Sequence, residues 1–289
     1  MLKANEIKPL FPIREGDVNK GNYGYVGLMG GCLNYSGSMK LANLSLAALR
    51  SGCGVSKVIV PKSIALSIAP YLLEQVLWAI DDRDSHMCFK KEQIDEALEK
   101  VKALAIGMGW GSGKDNEKIL AYILENYQIP MVIDADGLNT LASMNKDILL
   151  KRKVPVILTP HLKEFERLSS ISIEEIKKNR EEIAKAFAKK YHVILLLKGS
   201  ITIVTDGEEV IKVDKGCAGM ATAGSGDVLS GILVGLLGYH PISALTVAAG
   251  AYVAGLAGEL AEREKNDISM IASDTVKHIP EAINKIRKA

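Results

Sequence analysis

The stretch Met131-Val132-Ile133-Asp134-Ala135-Asp136-Gly137-Leu138-Asn139 begins with a short apolar run, which is followed by a polar turn and by the start of a helix. Similar short, nearly unbroken apolar runs recur at residues 25–29, 55–60, 103–106, 154–158 and 193–197. Apolarity of this kind is typical of strands that are buried on both faces. The sequence therefore predicts an α/β protein.

Helical patterns separate these runs, and this alternation favours parallel crossover units. The predicted helices cover residues 37–51, 116–126, 136–141, 173–190, 227–237, 242–264 and 273–288. Residues 201–205 and 209–213 flank Asp206-Gly207, which predicts an antiparallel hairpin late in the sheet. We expect a doubly wound, mainly parallel sheet with helices on both faces. Because no linker or repeat interrupts the pattern, we expect one domain over residues 1–289.

The composition excludes several classes of protein. The 36 Lys and Arg residues nearly balance the 34 Asp and Glu residues, and a net charge of +2 gives no broad basic surface for nucleic acid. Residues 1–20 have no apolar core segment and therefore do not show the pattern of a signal peptide. No Cys-x-x-Cys pair is present, so neither a zinc knuckle nor a disulfide framework is indicated for Cys32, Cys53, Cys88 and Cys217. We expect a protein of the reducing cytoplasm.

Residues 228–258 contain no Asp, Glu, Lys or Arg, which raises the question of a membrane span. Gly238-Tyr239-His240-Pro241 divides this stretch into two pieces, each shorter than the roughly 20 apolar residues that a span needs. Two buried helices, and no membrane segment, are predicted. Small residues at 248–251 and 254–255 give the second helix a smooth surface, suited to packing within or between subunits of a homo-oligomer.

Ligands of open α/β sheets lie beyond the carboxyl ends of the strands. The predicted strands are followed by polar or glycine-rich turns: Gly30-Gly31, Gly107-Met108-Gly109-Trp110-Gly111, Asp134-Ala135-Asp136-Gly137-Leu138-Asn139, Thr159-Pro160-His161 and Lys198-Gly199-Ser200. Glycine, carboxylate, imidazole and ammonium groups should therefore meet at one edge, as a cleft for a nucleotide and a second substrate requires.

Each of these groups has a structural alternative. The glycines of the turn 107–111 are either a phosphate cradle or a requirement of turn geometry. Asp134 and Asp136 are predicted to hold Mg²⁺ through water and phosphate, whereas Asp136 alone is also a candidate helix N-cap. Asn139 faces either the cleft or the solvent.

His161 and Lys198 also have both a functional and a structural interpretation. His161 either stacks on or hydrogen-bonds to a ring or phosphate, or it is structural, as a single histidine usually is. Lys198 ends a buried strand, where its ammonium needs a carboxylate or phosphate partner unless it reaches the solvent along its aliphatic stem.

A glycine-rich turn, Gly219-Met220-Ala221-Thr222-Ala223-Gly224-Ser225-Gly226-Asp227, opens an apolar helix. The free backbone N–H groups of a helix start, together with its dipole, attract phosphate oxygens. Asp227 would repel a bound phosphate, so its carboxylate suggests a different task, such as accepting a proton from an attacking hydroxyl. The structural alternative is an ordinary first-turn Asp.

With these residues assembled, the chain resembles the ribokinase-like superfamily and, within it, the NAD(P)H-hydrate dehydratase family. The resemblance covers nearly the whole chain, and its main elements are Lys20-Gly21-Asn22-Tyr23-Gly24, Tyr35-Ser36-Gly37, Ala48-Leu49-Arg50-Ser51-Gly52, the turns at 134–139 and 159–161 with Glu164-Phe165, Lys198-Gly199, and Gly219–Leu229. The family pattern differs here at Leu162-Lys163 and at Met108 and Trp110, which affects local loop shape.

The resemblance implies roles for individual residues. Lys198, Gly199, Ser200, Ile201 and Thr202, with the helix start Gly224, Ser225 and Gly226, would contact ADP or ATP. Ala42, Gly109, Asn139, His161 and Asp227 would lie against the hydrated dinucleotide, NADHX or NADPHX. The resemblance further implies Mg²⁺, a homo-oligomer of tetrameric type, and a separate epimerase acting on the same metabolite.

The reaction implied is dehydration of the hydrate to NADH or NADPH, with Asp227 as the catalytic base and with release of phosphate and AMP or ADP. One alternative is a kinase of the same fold that acts on a hydroxymethylpyrimidine or thiazole alcohol. Another is a non-catalytic adenylate sensor, which Asp227 disfavours because a carboxylate weakens anion binding.

Overall fold

A computed structural model describes residues 1–40 and 47–289 and shows a large sheet between two layers of helices. The strands are β1 Tyr25–Met29, β2 Val55–Pro61, β3 Val76–Ile80, β4 Asp82–Arg83, β5 His86–Met87, β6 Val101–Ile106, β7 Met131–Ile133, β8 Val156–Leu158, β9 Ile194–Leu197, β10 Thr202–Thr205 and β11 Val210–Val213. The α-helices are α1 Ala4–Ile7, α2 Ser36–Met39, α3 Ala47–Arg50, α4 Lys62–Ile68, α5 Lys91–Leu98, α6 Asn116–Asn126, α7 Asp136–Ser143, α8 Leu162–Ser169, α9 Ile173–Lys178, α10 Arg180–Tyr191, α11 Ser225–Leu237, α12 Ala244–Lys265 and α13 Ala272–Lys288. Short 3₁₀ turns cover Lys8–Leu10, Lys20–Tyr23, Leu33–Tyr35, Ala69–Tyr71, Lys146–Lys151 and Ala218–Met220.

The main sheet has nine strands in the order β11-β10-β9-β8-β7-β6-β1-β2-β3. Its pairs are parallel from β3 across to β9, and β10 pairs antiparallel with both β9 and β11. This confirms the predicted α/β architecture, including the late hairpin. The chain builds outward from β1 to β3 and then returns to the other side of β1 with β6.

The side chains of each strand divide between two cores, because successive residues point to opposite faces of a sheet. In β6, Ala103 and Ala105 join the core formed with α11, α12 and α13, whereas Leu104 and Ile106 join the core formed with α5, α6, α7, α8 and α10. Burial on both faces explains why the sequence shows continuous apolar runs in place of alternation.

The two apolar helices predicted from residues 228–258 are α11 and α12, and both are buried. Helix α12 is long and apolar enough to cross a membrane by composition, but 83% of its most apolar window is buried inside the fold. Its apolarity is therefore accounted for by the protein core.

Two predicted helices differ from the structure. The helix predicted over 173–190 is divided into α9 and α10 at Asn179, whose backbone angles φ −132° and ψ 48° are not helical. The helix predicted over 37–51 is seen only at its ends, as α2 and α3, because residues 41–46 are not among those described. The sequence analysis missed β3, α4, α5 and α8.

Candidate active site

The strand order places a crevice at the carboxyl ends of β1 and β6, where the direction of chain winding reverses. Ligand sites of doubly wound sheets form at such a switch point. The turn after β6 is shaped by Gly107 and Gly109, which have φ +113° and +58°, and a Cβ at Gly107 would collide with the carbonyl oxygen of Asp134. Turn geometry and close packing therefore account for these glycines.

Asp134, directly after β7, is the centre of a buried polar network. Its side chain is 2% exposed, and its Oδ1 accepts a hydrogen bond from Lys198 Nζ at 3.1 Å. Its Oδ2 accepts one from Ser230 Oγ, in α11, at 2.7 Å. Glu164 in α8 lies 3.8 Å from the same ammonium. The network thus ties the ends of β7 and β9 to two helices.

Lys198 has the carboxylate partners that its buried position requires. Burial alone would lower the pKa of its ammonium, but Asp134 and Glu164 more than offset this, and the pKa is raised above its usual value. Lys198 is therefore charged at neutral pH, and the alternative of a solvent-seeking side chain is wrong.

Asp227 lies in the first turn of α11, after Gly224 at φ +93°, and faces this network. A Cβ added at the neighbouring Gly226 would lie 3.6 Å from both Asp134 Oδ2 and Lys198 Nζ, so the helix start sits directly over the ion pair. Among the described residues, no cation lies within ion-pair distance of the Asp227 carboxylate. This side chain is therefore available to the crevice.

The environment of Asp227 opposes its charge. Burial, followed by the nearby Asp134 carboxylate, raises its pKa from 3.8 to about 6, although a hydrogen bond from Ser38 and the charge of Lys198 act in the opposite direction. A carboxylate with this pKa is a better proton acceptor than an ordinary Asp and is still mostly ionised at pH 7.

Asp136 is not the N-cap of α7, because that position is taken by Ala135. Its carboxylate Oδ2 accepts a hydrogen bond from the backbone of Gly111 at 2.7 Å. Ala135 has φ +49°, a left-handed conformation that costs a non-glycine residue free energy and that is characteristic of functional turns. Asp136 therefore fixes the glycine turn from the opposite side of the crevice.

Asn139 is held at the margin of a cleft of about 410 Å³ that begins beside Asp136. Its Oδ1 accepts a hydrogen bond from Arg167 at 2.9 Å, and its amide nitrogen lies 3.4 Å from Asp136 Oδ1. Tyr35, Gly111 and Asn116 also line this cleft. The predicted cleft-facing position of Asn139 fits this geometry.

His161 is the N-cap of α8, where its Nδ1 accepts hydrogen bonds from the backbone N–H groups of Lys163 at 3.1 Å and Glu164 at 3.2 Å. Because Nδ1 is an acceptor, the proton of the neutral ring is assigned to Nε2. Burial, reinforced by the charge of Lys198, lowers the pKa of His161, so the ring is neutral at pH 7. His161 thus has the structural role of an N-cap, and its half-exposed ring places Nε2 3.4 Å from Glu164 Oε1.

The segment Lys198–Thr202 is shaped by Arg180, which the sequence analysis did not single out. Its guanidinium donates to the carbonyl oxygens of Leu197 at 3.1 Å, Lys198 at 2.9 Å and Ile201 at 2.8 Å. A Cβ at Gly199 would collide with this guanidinium. Arg180 therefore holds the predicted nucleotide-contacting segment, including Ser200, in one shape.

Ser225, at the start of α11, carries an unsatisfied polar group. Its hydroxyl is buried and has no hydrogen-bond partner among the described residues. Such a hydroxyl costs free energy unless a ligand or water satisfies it. A phosphate oxygen at the start of α11 would do so.

The metal prediction receives less support. No group of three or more His, Cys, Asp or Glu side chains among the described residues is arranged to hold a metal ion. Asp134 is engaged by Lys198 and Ser230, and Asp136 by the Gly111 amide. These residues do not form a direct Mg²⁺ site, and water-mediated binding through phosphate stays a prediction.

The structure brings together Asp134, Lys198, Gly226 and Asp227 and links His161 to them through Glu164. Ala42 lies outside the described residues. Sequence reasoning missed Ser230, which donates a hydrogen bond to Asp134, and Ser38, which lowers the pKa of Asp227. A single serine in a helix carries no motif, so only the three-dimensional structure reveals these contacts.

Comparison with known proteins gives the family. The family model for NAD(P)H-hydrate dehydratase matches residues 26–281. The bifunctional NAD(P)H-hydrate repair enzyme of Moorella thermoacetica is 33% identical over 293 residues, a match that covers 100% of this chain and 54% of that enzyme. The ADP-dependent (S)-NAD(P)H-hydrate dehydratase of Bacillus subtilis is 29% identical, with 95% of this chain and 94% of that enzyme covered.

A solved structure of the same family also matches this chain. The ADP/ATP-dependent NAD(P)H-hydrate dehydratase of B. subtilis, co-crystallised with ATP and Mg²⁺, matches with a TM-score of 0.83 and 26% identity over 98% of this chain and 97% of that one. The chain spans about half the length of the bifunctional relatives it matches. Both the fold and the matched family agree with the resemblance drawn from the sequence, and the chain belongs to the NAD(P)H-hydrate dehydratase family.

Proposed function

We propose that this protein dehydrates the (6S) hydrate of NADH or NADPH at the expense of ADP or ATP. The observation that carries the proposal is the Asp227 carboxylate, poised beside a helix start and given a pKa of about 6 by burial and by Asp134. The family of the chain and the B. subtilis relatives support the choice of substrate.

The hydroxyl of the hydrated ring is a poor leaving group, and the proposed reaction first improves it. Asp227 accepts the proton of this hydroxyl while the hydroxyl oxygen attacks the terminal phosphorus of ADP or ATP. A new O–P bond forms, the bond to the AMP or ADP leaving group breaks, and the ring carries a phosphate ester. The ring nitrogen then donates its electron pair, the C–O bond breaks with release of phosphate, and loss of a proton from the adjacent carbon restores the dihydronicotinamide.

Other residues of this chain position the reactants. The N–H groups at the start of α11 and the unpartnered Ser225 hydroxyl face the position proposed for the transferring phosphoryl group. The neutral, half-exposed ring of His161 contacts the dinucleotide. Lys198 places a positive charge beside Asp227 and limits the repulsion between Asp227 and the phosphates. When bound with the nucleotide, Mg²⁺ would neutralise phosphate charge.

Several partners belong to the same proposal. The nucleotide is ADP or ATP, and a cytoplasmic homo-oligomer is proposed because the composition suits that compartment and the family resemblance implies an oligomer. The small residues of α12 are buried inside the fold and do not contribute to such an interface. An epimerase that acts on the same metabolite is a further proposed partner, as the family resemblance implies.

The test supplies the purified protein with hydrated NADH or NADPH, Mg²⁺, and either ADP or ATP. We expect dihydronicotinamide absorbance to return, with one inorganic phosphate and one AMP or ADP formed per molecule repaired. A stable phosphorylated substrate without returning absorbance would show a kinase instead. Nucleotide binding with neither product would show an adenylate sensor.

A further inference from the structure

A second cavity lies at the opposite edge of the sheet from Asp227. It has a volume of about 570 Å³, within the range of small-molecule sites. Tyr23 precedes β1 and Gly52 precedes β2, so the cavity adjoins the amino ends of strands whose carboxyl ends form the crevice. Tyr239 follows the carboxyl end of α11, and the eleven residues from Asp227 to Leu237 span about 15 Å along that helix between the two sites.

The cavity is rich in guanidinium groups. Arg14, Arg50 and Arg287 line it, and Glu15 is the single acidic residue among its lining side chains. The whole chain, in contrast, has a net charge of only +2. The excess of positive charge is therefore local to this cavity and favours an anion.

Two of the arginines are held in place by the protein. Arg14 stacks over the ring of Tyr23 at 3.4 Å and donates to the carbonyl oxygen of Gly52. Arg287 donates to the carbonyl oxygens of Phe11 at 2.9 Å and Pro12 at 2.7 Å. A guanidinium has five N–H donors, so each keeps donors for a ligand while its position is fixed.

These two guanidinium groups converge on Tyr239. Arg14 Cζ lies 6.0 Å from the centre of the Tyr239 ring, and Arg287 lines the same cavity as this ring. Burial raises the pKa of Tyr239 to about 12, and the charges of Arg14 and Arg287 act in the opposite direction. The Tyr239 hydroxyl donates to the carbonyl oxygen of Ser51 at 2.8 Å, so the ring is also fixed. The centre of the cavity is therefore an ordered group of two cations and two aromatic rings.

Arg50 is the third guanidinium that lines the cavity. It ends α3, it is exposed, and no hydrogen bond or ion pair joins it to another described residue. Apolar side chains also line the cavity and would contact an organic body: Ile13, Leu49, Pro280 and Ile283. The combination of fixed arginine forks with an apolar wall suits a ligand that is charged at one end and carbon-rich at the other.

We propose that this cavity, lined by Arg14, Arg50 and Arg287 around Tyr23 and Tyr239, binds a phosphorylated small organic molecule at a site separate from the active site. The proposal does not depend on the reaction proposed above, since none of these residues contacts the crevice.

The test is a titration of ¹⁵N-labelled protein with phenyl phosphate, followed by NMR. The backbone amide of Gly52 and the side-chain Nε–H of Arg14 report on this cavity, and the backbone amide of Gly226 reports separately on the crevice. We expect saturable shifts at Gly52 and Arg14 in the wild-type protein. In Arg50→Glu we expect the affinity at Gly52 to fall about tenfold or more, because charge-assisted bonds to phosphate are lost and repulsion is introduced.

The matched control is Lys285→Glu. Lys285 is exposed on α13, outside the cavity lining, and pairs with Glu281 at 3.6 Å, so its reversal changes the net charge equally. We expect it to change the affinity at Gly52 by no more than about twofold. Shifts confined to Gly226, no saturable shift at Gly52 up to about 10 mM ligand, or equal losses in the two variants would overturn the proposal.

Discussion

The surroundings of Asp227 raise the pKa of its carboxyl group, but the group is still mostly ionised at neutral pH. It is buried near Asp134, is hydrogen-bonded by Ser38, and has a pKa of about 6. An ordinary surface Asp would be a weaker base, and a fully buried one would be protonated at neutral pH. The position between these limits is what a general base at neutral pH requires.

The pH dependence of turnover follows from this pKa. Asp227 must be ionised to accept a proton, so kcat/KM should be constant above pH 7 and fall about tenfold per pH unit below pH 6. Initial rates between pH 4.5 and 8, with the hydrate concentration verified at each pH, measure this profile. An acid limb centred near pH 4 would show that the essential group is a carboxyl with an ordinary pKa.

Asp227 should also reduce stability at neutral pH. Since its pKa is raised in the folded protein, ionisation penalises the folded state, and the penalty grows as pH rises from about 4 to 6. We expect Asp227→Asn to increase the free energy of unfolding by about 1–2 kcal/mol at pH 7.5 and by little at pH 4. Urea unfolding at the two pH values measures the difference, and a variant less stable than wild type at pH 7.5 would contradict it.

At the scale of elements, the site depends on turns that allow strand ends to approach one another. Gly107 has φ +113° and lies against the backbone of Asp134 and Gly137. Gly37 in α2 has no atom of the described residues within 4 Å of the place where its Cβ would be. An added Cβ would therefore collide with backbone atoms at Gly107, whereas at Gly37 it would meet no described atom.

We expect Gly107→Ala to destabilise the protein by about 2–4 kcal/mol, because it combines an unfavourable φ with a backbone collision. Gly37→Ala is the control and should be neutral or stabilise by about 0.5 kcal/mol, since alanine favours a helix. Thermal and urea unfolding of both variants test this. Equal effects would show that the turn after β6 tolerates a side chain.

The elements that were predicted from the sequence are those whose pattern of apolar residues reflects their burial in the fold. Strand β7 and its turn were found because three consecutive apolar residues precede Asp134. Strand β3 lies at the edge of the sheet; its residues Val76–Ile80 are an unbroken apolar run that the sequence analysis did not single out, although Val76 and Ala79 are exposed in the fold. The Asp134–Lys198–Ser230 network was out of reach, since its members are 64 and 96 residues apart in sequence.

On the scale of the whole molecule, one sheet brings distant segments to a single crevice. The site takes Asp134 from the end of β7, Lys198 from the end of β9 and Asp227 from α11. Sequence reasoning placed these residues at one edge because the carboxyl ends of parallel strands coincide. It left their pairing open, because pairing depends on side-chain directions that the sequence does not reveal.

Nucleotide binding should stabilise the whole fold. With ADP at a hundred times its dissociation constant, the free energy of unfolding should rise by about 2.7 kcal/mol, which corresponds to a few degrees in Tm. Calorimetry with and without ADP tests this, and Asp227→Asn should show a similar rise because it keeps the helix start intact. An unchanged Tm in both proteins at millimolar ADP would contradict nucleotide binding.

The most direct test of the central claim compares the turnover of wild-type protein and Asp227→Asn with hydrated NADH, ADP or ATP, and Mg²⁺, after nucleotide binding by both has been verified. Asn keeps the shape of the side chain but cannot accept the proton. We expect kcat to fall by about 10²–10⁴-fold with little change in nucleotide affinity. Turnover within a few fold of wild type would show that Asp227 is not the base.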